Sequence, residues 1–262
     1  MHDAWRLAVG TFTAIRTAPP RHVDDRVLGR AMLLAPVSAL PAVLVWVLLG
    51  VLTAAGLAPP LVASVLAVIA TALASRALHL DGLADLADGL TSGHEPSRSL
   101  EVMRRGDTGP AGAAALVLVV LLDVACLASL LGSRPGVALA VSALVGSRLA
   151  CAVCARDGIP PARAEGLGQG VAGTVSTSQL VGLVAGAAVL AGAAGILVGG
   201  RPSAALGLVG VVLAAVAAAA VVCRHAVRRL GGVTGDVIGA AIEISLAVAL
   251  TVASVAHATV LP

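Results

Sequence analysis

The polar residues of this chain are gathered into a few short stretches. Between them apolar positions run on without the two-residue alternation of a half-exposed strand. Seven runs are long enough for a helix to cross a bilayer, which takes roughly 17–25 residues. They lie at Leu33–Leu57, Leu61–Leu80, Ala111–Leu131, Val137–Ala155, Leu180–Val198, Ala204–Val222 and Val237–Val260. The pattern predicts an all-α, polytopic membrane bundle of about seven helices. It is read as a single domain over 1–262, with residues 1–32 as an N-terminal segment and 33–262 as the bundle. Pro36 and Pro41 should bend the first span. The unbroken runs also argue against a transmembrane β-barrel.

Composition sharpens this picture. Apolar residues make up 58% and charged residues 12%, against ~45–50% and ~25% in soluble domains, and the mean hydropathy is +1.01. A soluble globular domain and a disordered chain are thereby excluded. Only Trp5, Phe12 and Trp46 are aromatic. Single-stranded nucleic-acid binders stack bases on aromatic rings, so nucleic acid is not an expected partner. Cys126, Cys151, Cys154 and Cys223 lie in or beside apolar runs. No disulfide framework is expected, and the Cys151-x-x-Cys154 pair reads as small-residue helix packing.

Charge placement orients the chain. All 17 basic residues are arginines. Only Arg134 and Arg201 fall on the side that holds the turns 56–60, 132–136 and 199–203 and the C-terminal tail. The others lie in or beside 1–32, 81–110, 156–179 and 223–236. The positive-inside rule then puts the N-terminus and every large loop in the cytoplasm, where the substrates should be. Met1–Arg30 holds five arginines without an apolar core. It reads as an amphipathic surface segment and not as a signal peptide.

The chemistry concentrates in His79-Leu-Asp81-Gly-Leu-Ala-Asp85-Leu-Ala-Asp88-Gly89, at the end of the second span. Asp81, Asp85 and Asp88 stand at i, i+4 and i+7, within ~60° on one helix face. Three carboxylates so placed repel one another unless a cation lies between them, and oxygen ligands suit Mg²⁺, with Mn²⁺ as the alternative. Gly82 and Gly89 allow a backbone or a phosphate to approach closely. In the next loop Asp107 offers a fourth carboxylate and Arg104 a phosphate contact. Before the last span, Arg228, Arg229, Gly231, Gly232, Thr234 and Asp236 combine cations, glycines, a hydroxyl and a helix start, a combination that suits an anion. The spacing matches no P-loop. Arg148 and Glu243 are charges within spans, which are costly and usually functional. Asp85 and Asp88 are the candidate catalytic acids, Asp88 as the base that takes a hydroxyl proton.

These stretches together resemble the cobalamin synthase family, the adenosylcobinamide-GDP ribazoletransferases. The resemblance rests on HLDGLADLADG at 79–89, MRRGDTGPAG at 103–112, EGLG at 165–168 and RRLGGVTGDVIGAAIE at 228–243. It covers nearly the whole chain in order and spacing. At Arg105 the sequence departs from the family, many of whose members carry an Asp there; Asp107 is the acid nearest to that place.

The resemblance implies a Mg²⁺-dependent enzyme of the bacterial plasma membrane, working at its cytoplasmic face. α-Ribazole or its 5′-phosphate would attack adenosylcobinamide-GDP and release GMP, giving adenosylcobalamin or its 5′-phosphate. It also implies contact with lipid, and association with a second copy or with other corrinoid-assembly enzymes. The Asp81-Gly82-x-Ala84 core is similar to CDP-alcohol phosphatidyltransferases too, which makes a lipid phosphotransferase the alternative. That family's usual Arg after the Ala is here Asp85. A transporter reading is weak, because the charges gather at one face.

Overall fold

Inside lipid every backbone polar group needs an internal partner, and runs of Ala, Leu, Val and Gly satisfy that need as helices. The computed structural model describes residues 1–260, and the expected C-terminal tail lies outside the described residues. The described chain is mostly helical, without a named strand. Two short amphipathic helices, α1 (His2–Phe12) and α2 (Asp25–Leu33), come first. A 3₁₀ turn over Ala35–Ala39, with Pro36 as its second residue, leads into α3 (Leu40–Ala54) with Pro41 in its first turn. Both prolines therefore act at the entry of the first span, where their missing N–H groups cost least.

α4 (Pro60–Ala74) packs against α3, and Trp46 pins the pair by donating from Nε1 to Ala67 O at 2.9 Å and Thr71 Oγ1 at 3.0 Å. Here the structure departs from the expected span Leu61–Leu80. The helix stops at Ala74, Arg76 and Ala77 take left-handed φ values of 55° and 56°, and α5 (Leu78–Thr91) leaves at 89° to α4. Arg76 anchors the corner, donating from Nη2 to Gly10 O at 2.9 Å and Thr11 O at 3.2 Å on α1. The acidic segment thus forms a helix of its own and does not continue the span.

α6 (Pro96–Val102) and α7 (Pro110–Leu130) follow. α8 (Arg134–Ser147) and the short α9 (Ala150–Cys154) together make one span. A long irregular segment carries α10 (Leu167–Val171), then come α11 (Thr177–Gly199), α12 (Pro202–Leu230) and α13 (Gly235–Val260). Six helices or helix pairs are long and apolar enough to cross a membrane, and the bent α4–α5 pair makes a seventh candidate. α12 runs eight residues beyond the expected end at Val222. Ala226, Val227 and Leu230 keep the helical pattern going, and Gly231 closes it with a left-handed cap at φ 82°. α13 is the central post, packed against α5, α7, α8 and α12. Most of its side chains from Val237 to Ala253 are buried. All four cysteines are buried and free.

Candidate active site

α5 lies across the first turns of α13 because Gly82 leaves room for it. A Cβ at Gly82 would stand 2.7 Å from Asp236 O and 3.0 Å from Asp236 Cα. That backbone contact brings the first turn of α13, with Asp236, up to the α5 segment that carries Asp81 and Asp85. Asp236 and Asp81 both act electrostatically on Asp85, so three negative charges crowd the crossing. Gly89, at the other end of α5, faces Met103 and the Ser99 carbonyl of α6. Both glycines are buried and face protein, so the close approach they permit is helix packing.

The structure separates the three aligned carboxylates by environment. Asp81 is exposed, Asp85 half-buried and Asp88 buried. Asp88 Oδ2 accepts from Gly109 N at 2.7 Å and Oδ1 from Gly112 N at 2.9 Å. These N–H groups open α7, where a carboxylate complements both the unpaired donors and the positive helix end. Asp88 therefore anchors one helix to another. The arrangement tolerates no side chain at Gly112, whose Cβ would run into Asp88 Oδ2 and stand 2.9 Å from Ala84 O. We expect Gly112→Ala to lower stability by about 1–3 kcal/mol, read as a lower midpoint of thermal unfolding in detergent. Asp81 and Asp85 accept no hydrogen bond among the described residues.

Arg163, which sequence reading passed over, stands at the same crossing. Its Nη1 lies 3.5 Å from Asp236 Oδ2, its Nη2 donates to Leu100 O at 2.8 Å, and its Nε has no partner among the described residues. A cavity of about 280 Å³ opens here, lined by Asp81, Arg163, Glu165, Thr234 and Asp236 over an apolar floor that includes Phe12 and Ile242. The one sequence signal for Arg163 was its place two residues before the EGLG block, in a loop without periodicity.

The glycine-rich segment before α13 is stitched to that loop. Ala162 N donates to Val233 O at 3.0 Å, and Val233 N donates to Pro160 O at 3.0 Å. Gly232 packs against Pro160 and Pro161, and Gly168 against Val233 and Thr234. Thr234 caps α13, its Oγ1 accepting from Val237 N at 3.2 Å and donating to Asp236 Oδ2 at 3.2 Å. Gly231, Gly232 and Thr234 thus shape the wall of the cavity through caps and backbone pairing.

The expected phosphate arginines are spread out. Arg229 donates from Nη2 to Gly93 O at 2.8 Å and ties α12 to the end of α5. Arg228 is exposed on α12. Exposed Arg104 borders a separate cleft next to Arg163, and Asp107 is exposed in the loop before α7. Arg148 is buried inside the bundle, where its Nη1 donates to Ser147 Oγ at 3.0 Å. Glu243 is buried near it and lies 3.6 Å from His79 Nδ1. His79 reaches the cavity floor, so this buried group supports the site from beneath.

The description of one known family fits this chain across 4–254, the cobalamin-5-phosphate synthases. The chain belongs to that family. It is therefore an enzyme, a transferase of cobalamin biosynthesis. Curated relatives agree. An adenosylcobinamide-GDP ribazoletransferase of Nocardioides sp. is 45% identical over 95% of this chain and 97% of its own length. Those of Frankia casuarinae and Corynebacterium efficiens are 36% and 38% identical, over 94% and 89% of this chain and 92% and 85% of their own lengths. No solved structure matches. In this cobalamin-5-phosphate synthase family member the matched range takes in α5, most of α13 and the loops between them.

Proposed function

We propose that this enzyme joins α-ribazole, or its 5′-phosphate, to adenosylcobinamide-GDP, releasing GMP and forming adenosylcobalamin or its 5′-phosphate. The observation that carries this reading is the crossing of α5 and α13, where Asp81, Asp85 and Asp236 crowd beside Arg163. The names of the relatives supply the substrates. The arginine-rich side of the bundle, where this crossing lies, is read as the cytoplasmic face of the plasma membrane.

The donor chemistry fits a hard divalent cation, Mg²⁺ or Mn²⁺, since every candidate ligand is a carboxylate oxygen and unneutralised carboxylates repel. Among the described residues no three such side chains converge as a ready-made metal group. Our reading is that Asp81, Asp85 and Asp236 would hold the cation by turning toward one another across the Gly82 contact. A bound cation would neutralise charge on the phosphates and act as a Lewis acid.

The chain's own groups do the rest. The ribazole hydroxyl forms a bond to the phosphorus next to cobinamide while the bond to the GMP oxygen breaks, and GMP leaves with the electron pair. Asp85, half-buried and free of hydrogen bonds among the described residues, takes the hydroxyl proton on a carboxylate oxygen. Asp88 already accepts two N–H bonds and holds the α7 entry in place. Arg163, exchanging its 3.5 Å contact with Asp236 for a phosphate oxygen, orients the group being transferred. Positioning and charge carry most of such a transfer.

The test is a product assay on purified protein with adenosylcobinamide-GDP and, in separate reactions, ribazole or ribazole 5′-phosphate. EDTA should stop GMP and cobalamin-phosphate formation, and Mg²⁺ should restore both. Turnover indifferent to chelation would overturn the metal assignment. Product from neither ribazole nor its phosphate would overturn the substrate assignment.

A further inference from the structure

A second cavity lies on the other side of α10 from the acidic crossing. Leu167 and Gly168 line the acidic cavity, and the next residues, Gln169 and Gly170, line this one. It measures about 610 Å³ and sits between α2 and the segment running from α10 into α11. That volume falls in the range of sites that take drug-sized ligands, ~300–1,000 Å³.

Its two walls differ in chemistry. Arg26 and Arg30 stand one turn apart on α2, and neither guanidinium makes a hydrogen bond or ion pair among the described residues. Two unpaired guanidiniums at this spacing suit the oxygens of a phosphate. Facing them are Asp157, Gln169, Ser176 and Gln179. Asp157 is fixed as an acceptor, because Thr177 Oγ1 donates to its Oδ1 at 2.6 Å. That bond holds its carboxyl below the usual carboxylate range. Asp25 also borders the cavity, beside the arginines. The geometry is rigid where the walls meet, since α2 touches the opposite segment at Gly29, whose Cβ would strike Thr174 O. No aromatic side chain lines the space, so a ligand must be held by hydrogen bonds and charge, not by stacking.

From this geometry we infer that the cavity between α2 and α10–α11 is a second binding site, for a phosphorylated nucleoside, with Arg26 and Arg30 on its phosphate and Asp157 on donors of its base or sugar. A guanine edge fits Asp157 well, because its ring N–H and amino group both donate. The choice between GMP and ribazole 5′-phosphate as occupant rests on the function proposed above; the class of ligand does not.

The experiment is equilibrium binding to the purified full chain in detergent, with GMP, ribazole 5′-phosphate and inorganic phosphate as separate probes. It is run without divalent metal and also in the Asp85→Asn variant, so that loss of turnover and loss of this site are read apart. At least one phosphorylated nucleoside should bind, and more tightly than inorganic phosphate. The double variant Arg26→Gln, Arg30→Gln should weaken it by about tenfold or more. Asp157→Asn, which keeps the Oδ1 acceptor for Thr177, should weaken the same probe. Arg224→Gln, on the exposed side of α12, should leave it unchanged. Weakening confined to GMP assigns the site to the guanine nucleotide, and weakening confined to ribazole 5′-phosphate assigns it to the acceptor. Neither nucleoside binding, or affinities untouched by both the double variant and Asp157→Asn, would overturn the proposal.

Discussion

Asp85→Asn should lower turnover by about 10²–10⁴-fold and leave the protein as stable as before, or slightly more so. On the function proposed above, the activity loss follows from removing both a negative oxygen for the cation and the acceptor of the hydroxyl proton. The stability expectation follows from what Asp85 does not do. It accepts no hydrogen bond among the described residues, so the amide breaks none. It also removes the repulsion that Asp236, Asp81 and Asp88 exert on this half-buried carboxylate. GMP release under saturating substrate and a thermal melt in the same detergent measure the two sides. Full activity in the variant would remove Asp85 from the chemistry, and a marked drop in melting temperature would show that its role is structural.

Asp88→Asn should give the opposite signature. Both carboxylate oxygens of Asp88 accept backbone N–H groups, from Gly109 at 2.7 Å and Gly112 at 2.9 Å. An asparagine keeps one acceptor and turns an amino group toward the other donor. The variant should lose about 2–3 kcal/mol of stability, the range of a hydrogen bond to a charged group. Activity should fall with it, since the α7 entry and α5 would no longer be tied together. Unfolding monitored by helical signal against temperature, compared with Asp85→Asn, separates the two acids. An undestabilised but inactive Asp88→Asn would instead put Asp88 among the reacting groups.

This division of labour explains which parts of the molecule could be read from its sequence. Spans were legible because hydrocarbon imposes a long, unmistakable apolar window, and six of the seven expected runs emerged as spans by themselves. The corner at Arg76 and Ala77 was not legible, since no glycine or proline between Ala74 and Leu80 marks the turn. Spacing placed Asp81, Asp85 and Asp88 on one face of α5, but only the neighbours of that face decide which carboxylate meets solvent and which meets the start of α7. The glycines were read as room for a backbone or a phosphate because sequence shows that space exists, not what fills it. At Gly82 it is the backbone of α13. Arg148 was read as a functional charge within a span, and its surroundings, Ser147 and the neighbouring Glu243, put it inside the bundle. Arg163 lies in irregular backbone where no period points to any direction.

The shortness of α4 has a consequence for the lipid around the enzyme. Its 15 residues rise ~22 Å before the right-angle corner, well short of a hydrocarbon layer of ~30 Å. Its outer face, with Leu61, Leu66 and Leu73 exposed, meets acyl chains directly. A membrane that follows this short face would thin locally, at a cost that grows with the mismatch. The acidic crossing would then sit at the floor of a dimple in the membrane surface, open to water above and walled by lipid at its sides.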